Sequence, residues 1–436
     1  MLAVDVLKTI VVGLVLATSV PSMAMIGLRP IGVTAASRAL GGTGVANWVS
    51  GYDALYKNPA LMGLSPLNPG GFDASFGFMA ASFQSQARTN FSETDQSKGD
   101  WQKAEGGGKP VIFPSGVGGS YRAHESLAFG TGFYGGGGGG DYGERADILG
   151  ARSSTIAYSL LQGVAWRLNS RWAVGATLNI TQVKTEASSL HWENGRRETT
   201  GGTALATGYH IGLAGQPTKG VLLGLFFQPP LTAKLRNARD YYETEGRLPG
   251  ERRDDVMFTA LPLEVALGLT VEASPQMKLL TEVRFLQWSE AEFLKSIGFE
   301  DQVAGSLAME YEFSQKFIGR IGYLFANAAN ISQKTPQREN GAELVNFQGH
   351  PMPRIALSAI ASLSGLGVTE QHFTVGTSHI FSEQLTLDTG LVYMAPGSIS
   401  RNGQRMVKLT GQTTPYGWTS KFQAVTFNTE LIWKFH

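Results

Sequence analysis

The feature that most constrains this chain is its alternation of tight turns and long polar segments between runs of period-two apolar residues. Six connections are short, at residues 122–126, 169–171, 216–219, 274–276, 314–316 and 382–384. Around them lie long polar or glycine-rich stretches, at 84–109, 135–152, 237–258, 327–353 and 395–416. A sheet connected in this way has one trim rim and one elaborate rim. That is the asymmetry of a barrel crossing an outer membrane, with its short turns on the periplasmic side. With both chain ends on the trim rim, six short turns require seven outer loops and so fourteen antiparallel strands. Their expected starts are Phe72, Val111, Leu127, Ser153, Trp172, Thr203, Val221, Pro262, Met277, Val303, Phe317, His372, Leu385 and Trp418.

The strands themselves carry a two-faced pattern. Trp172, Val174, Ala176, Leu178 and Ile180 alternate with Ala173, Gly175, Thr177, Asn179 and Thr181. Leu307, Met309, Tyr311 and Phe313 alternate with Ser306, Ala308, Glu310 and Glu312, and Val265, Leu267, Leu269 and Val271 with Glu264, Ala266, Gly268 and Thr270. A soluble sandwich also alternates, but acidic residues beside glycine and alanine suit a wet, crowded lumen opposite a lipid-facing side. The last strand presents Val425, Phe427, Thr429, Leu431, Trp433 and Phe435 outward, ending in aromatics suited to the membrane interface.

The start of the chain reads as an export signal. Lys8 precedes the apolar run Ile10-Val11-Val12-Gly13-Leu14-Val15-Leu16-Ala17, and Ser22-Met23-Ala24 offers a small-x-small cleavage site after Ala24. Residues 1–24 are therefore expected as a cleaved signal peptide, 25–67 as a plug and 68–436 as the barrel. Only 16 % of residues are charged and the formal net charge is +1, so nothing favours a nucleic-acid partner. With no cysteine, neither a disulfide nor a thiolate metal site can form. The apolar stretch 354–367 would spoil the parity of the turns as a strand. It is read as a short helix or insertion in the sixth outer loop.

Residues 25–67 differ from the rest. Asn58 can cap a helix whose first position is Pro59, followed by Ala60, and Gly41-Gly42 end a helical stretch at 35–40. A fourteen-stranded barrel is too wide for its own side chains to fill, so this knot is expected inside the lumen as a plug. The sequence here resembles the FadL/TodX family of outer-membrane transporters of long-chain fatty acids and aromatic hydrocarbons. "ASRALGGTGVA" followed by "YKNPALM" is similar to the family's plug, or hatch, and its Asn-Pro-Ala hallmark falls on Asn58, Pro59 and Ala60. "SYRAHESLAFGTGFY", "WRLNSRWAVGATLNI", "LPLEVALGLTVE", "EVRFLQWSEAEF" and "HFTVGTSHIFSEQLTLDTGLVYM" resemble its strand-and-turn signatures. The Leu-Pro-Leu opening departs from the commoner Leu-Pro-Glu.

The resemblance implies passive uptake of hydrophobic compounds, long-chain fatty acids first and aromatic or aliphatic hydrocarbons second. It also implies exit sideways where the third strand kinks beside the hatch. In this sequence that strand holds Gly130, Gly132, Phe133 and Tyr134, and the glycine run 135–140 after it reads as outer loop. Arg38, Gly41, Gly42, Asn58, Pro59 and Ala60 are the expected hatch and gating residues. A fatty-acid carboxylate needs a cation or donor out of water, and Lys234 and Arg236 are the candidates, with Arg38. The expected partners are the hydrophobic ligand, outer-membrane lipid and lipopolysaccharide, for a monomeric protein. No cofactor, metal or catalytic residue is expected: the G-x-G-x-x-G at 130–135 precedes no helix, and His124-Glu125-Ser126 sits in a tight turn where neighbours point apart. No energy-coupling segment is evident near Met25, so ligand binding itself is expected to drive opening. A general porin and an outer-membrane lipid hydrolase are the rival classes.

Overall fold

The computed structural model describes residues 25–26, 29–89, 102–107, 111–141, 152–190, 197–240, 253–329, 338–340, 344–348, 350–353, 370–406 and 413–435. The expected leader at 1–24 and the segment 354–367 lie outside the described residues. No helix among the described residues is long and apolar enough to cross a membrane.

Fourteen strands form one closed antiparallel barrel. They are β1 (Phe72–Thr89), β2 (Gln102–Gly107 continued by Val111–His124), β3 (Leu127–Asp141), β4 (Arg152–Arg167), β5 (Trp172–Leu190) and β6 (Arg197–Thr218). Next come β7 (Val221–Gln228 and Leu231–Asp240), β8 (Arg253–Leu261 and Leu263–Ser274), β9 (Met277–Gln287) and β10 (Gln302–Ser314). The circuit ends with β11 (Phe317–Ala326), β12 (Gln371–Ile380), β13 (Leu385–Met406) and β14 (Thr413–Phe435). β14 closes on β1 from Phe72↔Phe435 to Thr89↔Trp418, and the Phe72 and Phe435 rings stack at 4.4 Å. β7 and β8 are split at Pro229-Pro230 and Pro262, where proline has no N–H to give a ladder.

The two faces separate as the alternation requires. Leu267, Leu307, Phe313, Phe427 and Trp166 are exposed outward, while their neighbours Ala266, Ser306, Asn428 and Ala165 are buried. The long outer stretches are less loop-like than expected. Glycines 135–140 are strand, paired with β4 from Gly135↔Tyr158 to Gly140↔Ser153. β6, β8 and β14 begin at Arg197, Arg253 and Thr413, ahead of their expected starts. Apart from Val256, Phe258 and Ala260 on β8, these extensions have no apolar period to betray them. Their order comes from backbone hydrogen bonds to a neighbouring strand, which any side chain permits.

Candidate functional site

The lumen is occupied on its short-turn side by residues 29–67, folded as capped helical pieces. Thr34 caps α1 (Ala35–Ala39) by accepting from the Ser37 N–H, and Ser50 caps α2 (Gly51–Lys57) by accepting from the Asp53 N–H. Asn58 caps the 3-10 turn Pro59–Leu64 by accepting from the Ala60 N–H at 3.1 Å, with Pro59 in its first turn. Gly41 and Gly42 end α1 with φ of 63° and 80°. Asn58, Pro59, Gly41 and Gly42, expected as hatch and gating residues, thus begin or end these helical pieces, and the Ala60 N–H is the one that Asn58 caps.

The wall receives this hatch through glycine. A Cβ at Gly212 would lie 1.9 Å from Asn58 Oδ1, and one at Gly224 would lie 1.9 Å from the Val45 carbonyl oxygen. Gly175, Gly268, Gly322 and Gly390 likewise stand against the backbone of Pro59-Ala60, Ala46, Leu40-Gly41 and Ala35. On β3, Gly130 faces Met62 and Leu55, and Gly132 faces the Tyr52 ring. The glycines on the luminal side are therefore a seat, allowing backbone and bulky hatch side chains to approach the sheet. Gly130 and Gly132 belong to that seat. The ladder between β3 and β4 runs unbroken past them from Leu127↔Trp166 to Asp141↔Arg152.

Polar fastening completes the seat. Three wall carboxylates accept hatch N–H groups: Glu430 from Ala35 at 2.9 Å, Asp73 from Gly51 at 2.6 Å, and Glu282 from Gly44 and Val45, each at 2.8 Å. Arg284 joins Glu264 at 2.9 Å, bonds Glu282, and donates to the Gly42 carbonyl at 3.0 Å. Arg38 donates to Asn428 on β14 at 2.6 Å and to the Gly32 carbonyl at 2.9 Å. It is buried in the hatch, where these bonds make it a fastening residue. Lys57 bonds the carbonyls of Ile31 and Gly42. Burial, then the nearby Arg284 guanidinium, pulls its amine down to about 7, while the acids Glu282 and Asp53 oppose the fall.

Above the hatch, toward the long loops, the lumen turns apolar. Leu231, Leu235, Val256, Phe258, Leu286, Trp288, Phe293, Phe299, Leu324, Val392 and Met394 form one buried cluster, with Ile31 of the hatch beneath it. Trp288, Phe293 and Phe299 come from the segment between β9 and β10, whose short 3-10 turns fold over this chamber. Below the hatch the wall is ionic: Arg320 meets Glu310 at 2.8 Å and Asp388 at 3.7 Å, and Lys278 meets Glu310 at 3.1 Å.

One side of the wall is incomplete. β2 and β3 pair from His124↔Leu127 only as far as Gly116↔Tyr134. Beyond that point β2 follows β1, with a register shift between Gly77 and Phe78, while β3 stays with β4. Inside this parting the Tyr52 hydroxyl donates to the Phe133 carbonyl at 3.2 Å, and Tyr134 packs edge-on to Tyr56 at 5.1 Å. A cavity of about 20 Å³ lies alongside, lined by Pro30, Tyr134, Gly136, Gly137, Ser159 and Thr181 among others. That is room for about one water. Phe133 and Tyr134, expected at a lateral exit, thus frame the place where the two strands separate.

Lys234 and Arg236 require correction. Leu231, Ala233 and Leu235 are the buried, chamber-facing residues of their strand, which puts Lys234 and Arg236 on the opposite, exposed face. Lys234 pairs there with Asp255 at 2.9 Å. Neither lines the chamber. His124 and Ser126 also differ from expectation: their side chains meet at 3.0 Å, but on an exposed turn. Among the described residues no group of acids and histidines could hold a metal ion. Sequence reasoning missed Arg29, Tyr52, Asp73, Glu264, Glu282, Arg284 and Glu430. Their signal was there for the wall acids, since lumen-side parity already singled out acids next to glycine.

The family described as outer membrane protein transport protein (OMPP1/FadL/TodX) matches residues 14–336 of the chain. Among solved structures, a Pseudomonas aeruginosa FadL homologue is 11 % identical, with a TM-score of 0.67 over 92 % of this chain and 98 % of that one. The Pseudomonas putida toluene transporter TodX is 14 % identical, with a TM-score of 0.61 over 95 % and 100 %. The Ralstonia pickettii toluene transporter TbuX is 16 % identical, with a TM-score of 0.59 over 93 % and 99 %. No curated protein matches the sequence.

Proposed function

Because the chain belongs to the outer-membrane transport family OMPP1/FadL/TodX, whose members are transport channels for hydrophobic compounds and not enzymes, we propose the following route through it. Hydrophobic molecules, long-chain fatty acids first, gather in the apolar chamber, displace the segment from Arg29 to Ile31, and leave sideways between β2 and β3. The observation that carries this reading is the arrangement around that segment. Ile31 floors the chamber, Pro30 lines the small cavity, and the cavity abuts the parting of β2 from β3. Straight descent would take an apolar molecule through the hatch and then past Arg320, Glu310, Lys278 and Asp388. The alkyl chain of such a cargo offers these charges nothing in exchange for their partners. Each buried CH₂ of a chain contributes about 0.8 kcal/mol, so the apolar chamber concentrates greasy cargo without an energy source, and its binding shifts the hatch toward an open state.

Aromatic hydrocarbons are the second reading, favoured by Phe258, Trp288, Phe293 and Phe299 around the chamber. Equilibrium binding of radiolabelled oleate and toluene ranks the two cargoes. The exit is tested by Ala157→Trp, which fills the cavity at the parting. Uptake into vesicles should fall while oleate binding in detergent stays; unchanged uptake would reject lateral release. Steady conductance with no saturable binding of either ligand would instead mark a general porin.

A further inference from the structure

Arg29 is in an unusual position for a buried cation. It is 1 % exposed, and its guanidinium is used on only two sides. Nε stands 2.8 Å from Glu264 Oε2, and the flat face lies 4.1 Å over the Tyr56 ring. Both terminal nitrogens have no hydrogen-bond partner among the described residues. A desolvated guanidinium edge left open in this way is costly unless another anion or acceptor meets it. The pair is also lopsided. Glu264 is held independently by Arg284, which in turn holds Glu282 and the Gly42 carbonyl. If Arg29 leaves, Glu264 keeps a partner. If Glu264 left, Arg29 would lose its ion-pair partner while Arg284 would keep Glu282.

The place matters as much as the charge. Arg29 precedes Pro30 at the cavity and Ile31 at the chamber floor. Glu264 pairs in register with Leu286, itself a member of the chamber cluster. A carboxylate descending tail-up through an apolar chamber needs a cation or donor at its end. Here it meets a guanidinium edge suited to bidentate carboxylate binding.

We propose that Arg29 is a displaceable head-group site: the carboxylate of a long-chain fatty acid binds its free edge, takes the place of Glu264, and carries residues 29–31 away from the parting of β2 and β3. The exchange of one carboxylate for another conserves charge pairing, and the Glu264–Arg284–Glu282 group stays intact on the wall. A neutral cargo makes no such exchange and must move the same segment by apolar contact alone. The inference rests on the uptake reading above and assigns it a carboxylate-specific gate.

The test is uptake of oleate and of oleyl alcohol, a neutral head on the same chain, by protein reconstituted in phospholipid vesicles. Arg29→Gln should lower oleate uptake about tenfold, as expected for losing one charge-assisted pair, while oleyl alcohol changes less than about twofold. Loss of both cargoes together in a folded variant, or of neither, overturns the head-group role. Should Arg29→Gln fail to fold, Glu264→Gln frees the guanidinium from its competitor and is expected to tighten oleate binding without tightening oleyl alcohol; equal effects on both overturn the role. If the wild-type protein takes up neither compound, the uptake reading itself falls, and the gate with it.

Discussion

The hatch meets the barrel differently on its two sides. Along β8, β9 and β14 it is fastened by buried carboxylates and an arginine, with Glu264, Glu282, Arg284 and Glu430 reaching its backbone or its cations. Along β3 and β4 it rests on glycine through Tyr52, Leu55 and Met62, with the Tyr52 hydroxyl making a single bond to β3. On β2, Arg122 holds only the end of the hatch, at the Ser65 and Leu67 carbonyls. The contrast teaches which side can yield. Breaking a buried ion pair strands charge, whereas apolar side chains leaving glycine lose packing and little directionality. The yielding side is also where β2 and β3 part.

The strongest way to break this contrast is to spoil the seat under the fastened side. Gly224→Leu forces a side chain into the Val45 carbonyl, and overpacking of that size should cost more than about 3 kcal/mol. The unfolding temperature of the detergent-solubilised barrel should drop, or the hatch should become open to protease; a wild-type transition with a protected hatch would contradict the seat. Next, Glu282→Ala removes the acceptor for two N–H groups and a partner of Arg284, a loss of roughly 3–5 kcal/mol. Urea titration reads it, and a change below about 1 kcal/mol would mean the acids are ornaments to the packing.

On the yielding side the expected effect is smaller. Tyr52→Phe removes one hydrogen bond to the Phe133 carbonyl, worth about 1 kcal/mol. It should leave the barrel folded while raising the opening rate seen by hydrogen exchange at the β2–β3 boundary; slower exchange there would reverse the assignment of sides. A pH slope is a further expected effect. Lys57 ionises near 7 when docked against an ordinary value of 10.5, so the docked hatch binds fewer protons than the released one. Docked stability is then lowest below pH 7 and rises as pH climbs from about 7 toward the unfolded value. Protease protection of the hatch measured across that window should increase with pH, and Lys57→Met should flatten the slope.

The barrel was readable because its physics is periodic. Short turns at 169–171 or 314–316 punctuate two-faced runs, and their parity alone demands an even, closed sheet. Asn58-Pro59 was equally readable, since capping is local chemistry. Lys234 and Arg236 misled because a basic residue near an apolar run does not tell which face it takes when the strand breaks at Pro229-Pro230. The glycine run at 135–140 misled in the other direction, as its strand is imposed by β4 and not by its own side chains.

Local order along the chain therefore determined the membrane barrel, the strand count and the existence of a folded leading unit, because each follows from spacing a reader can count. Only the tertiary structure decided that Gly212 and Gly224 seat that unit, that Arg29 faces Glu264 across 235 positions of sequence, and that β2 leaves β3 at Tyr134. Those facts depend on which residues come to share one cross-section of the lumen. Closure of the sheet sets that cross-section, and no single strand carries a record of it.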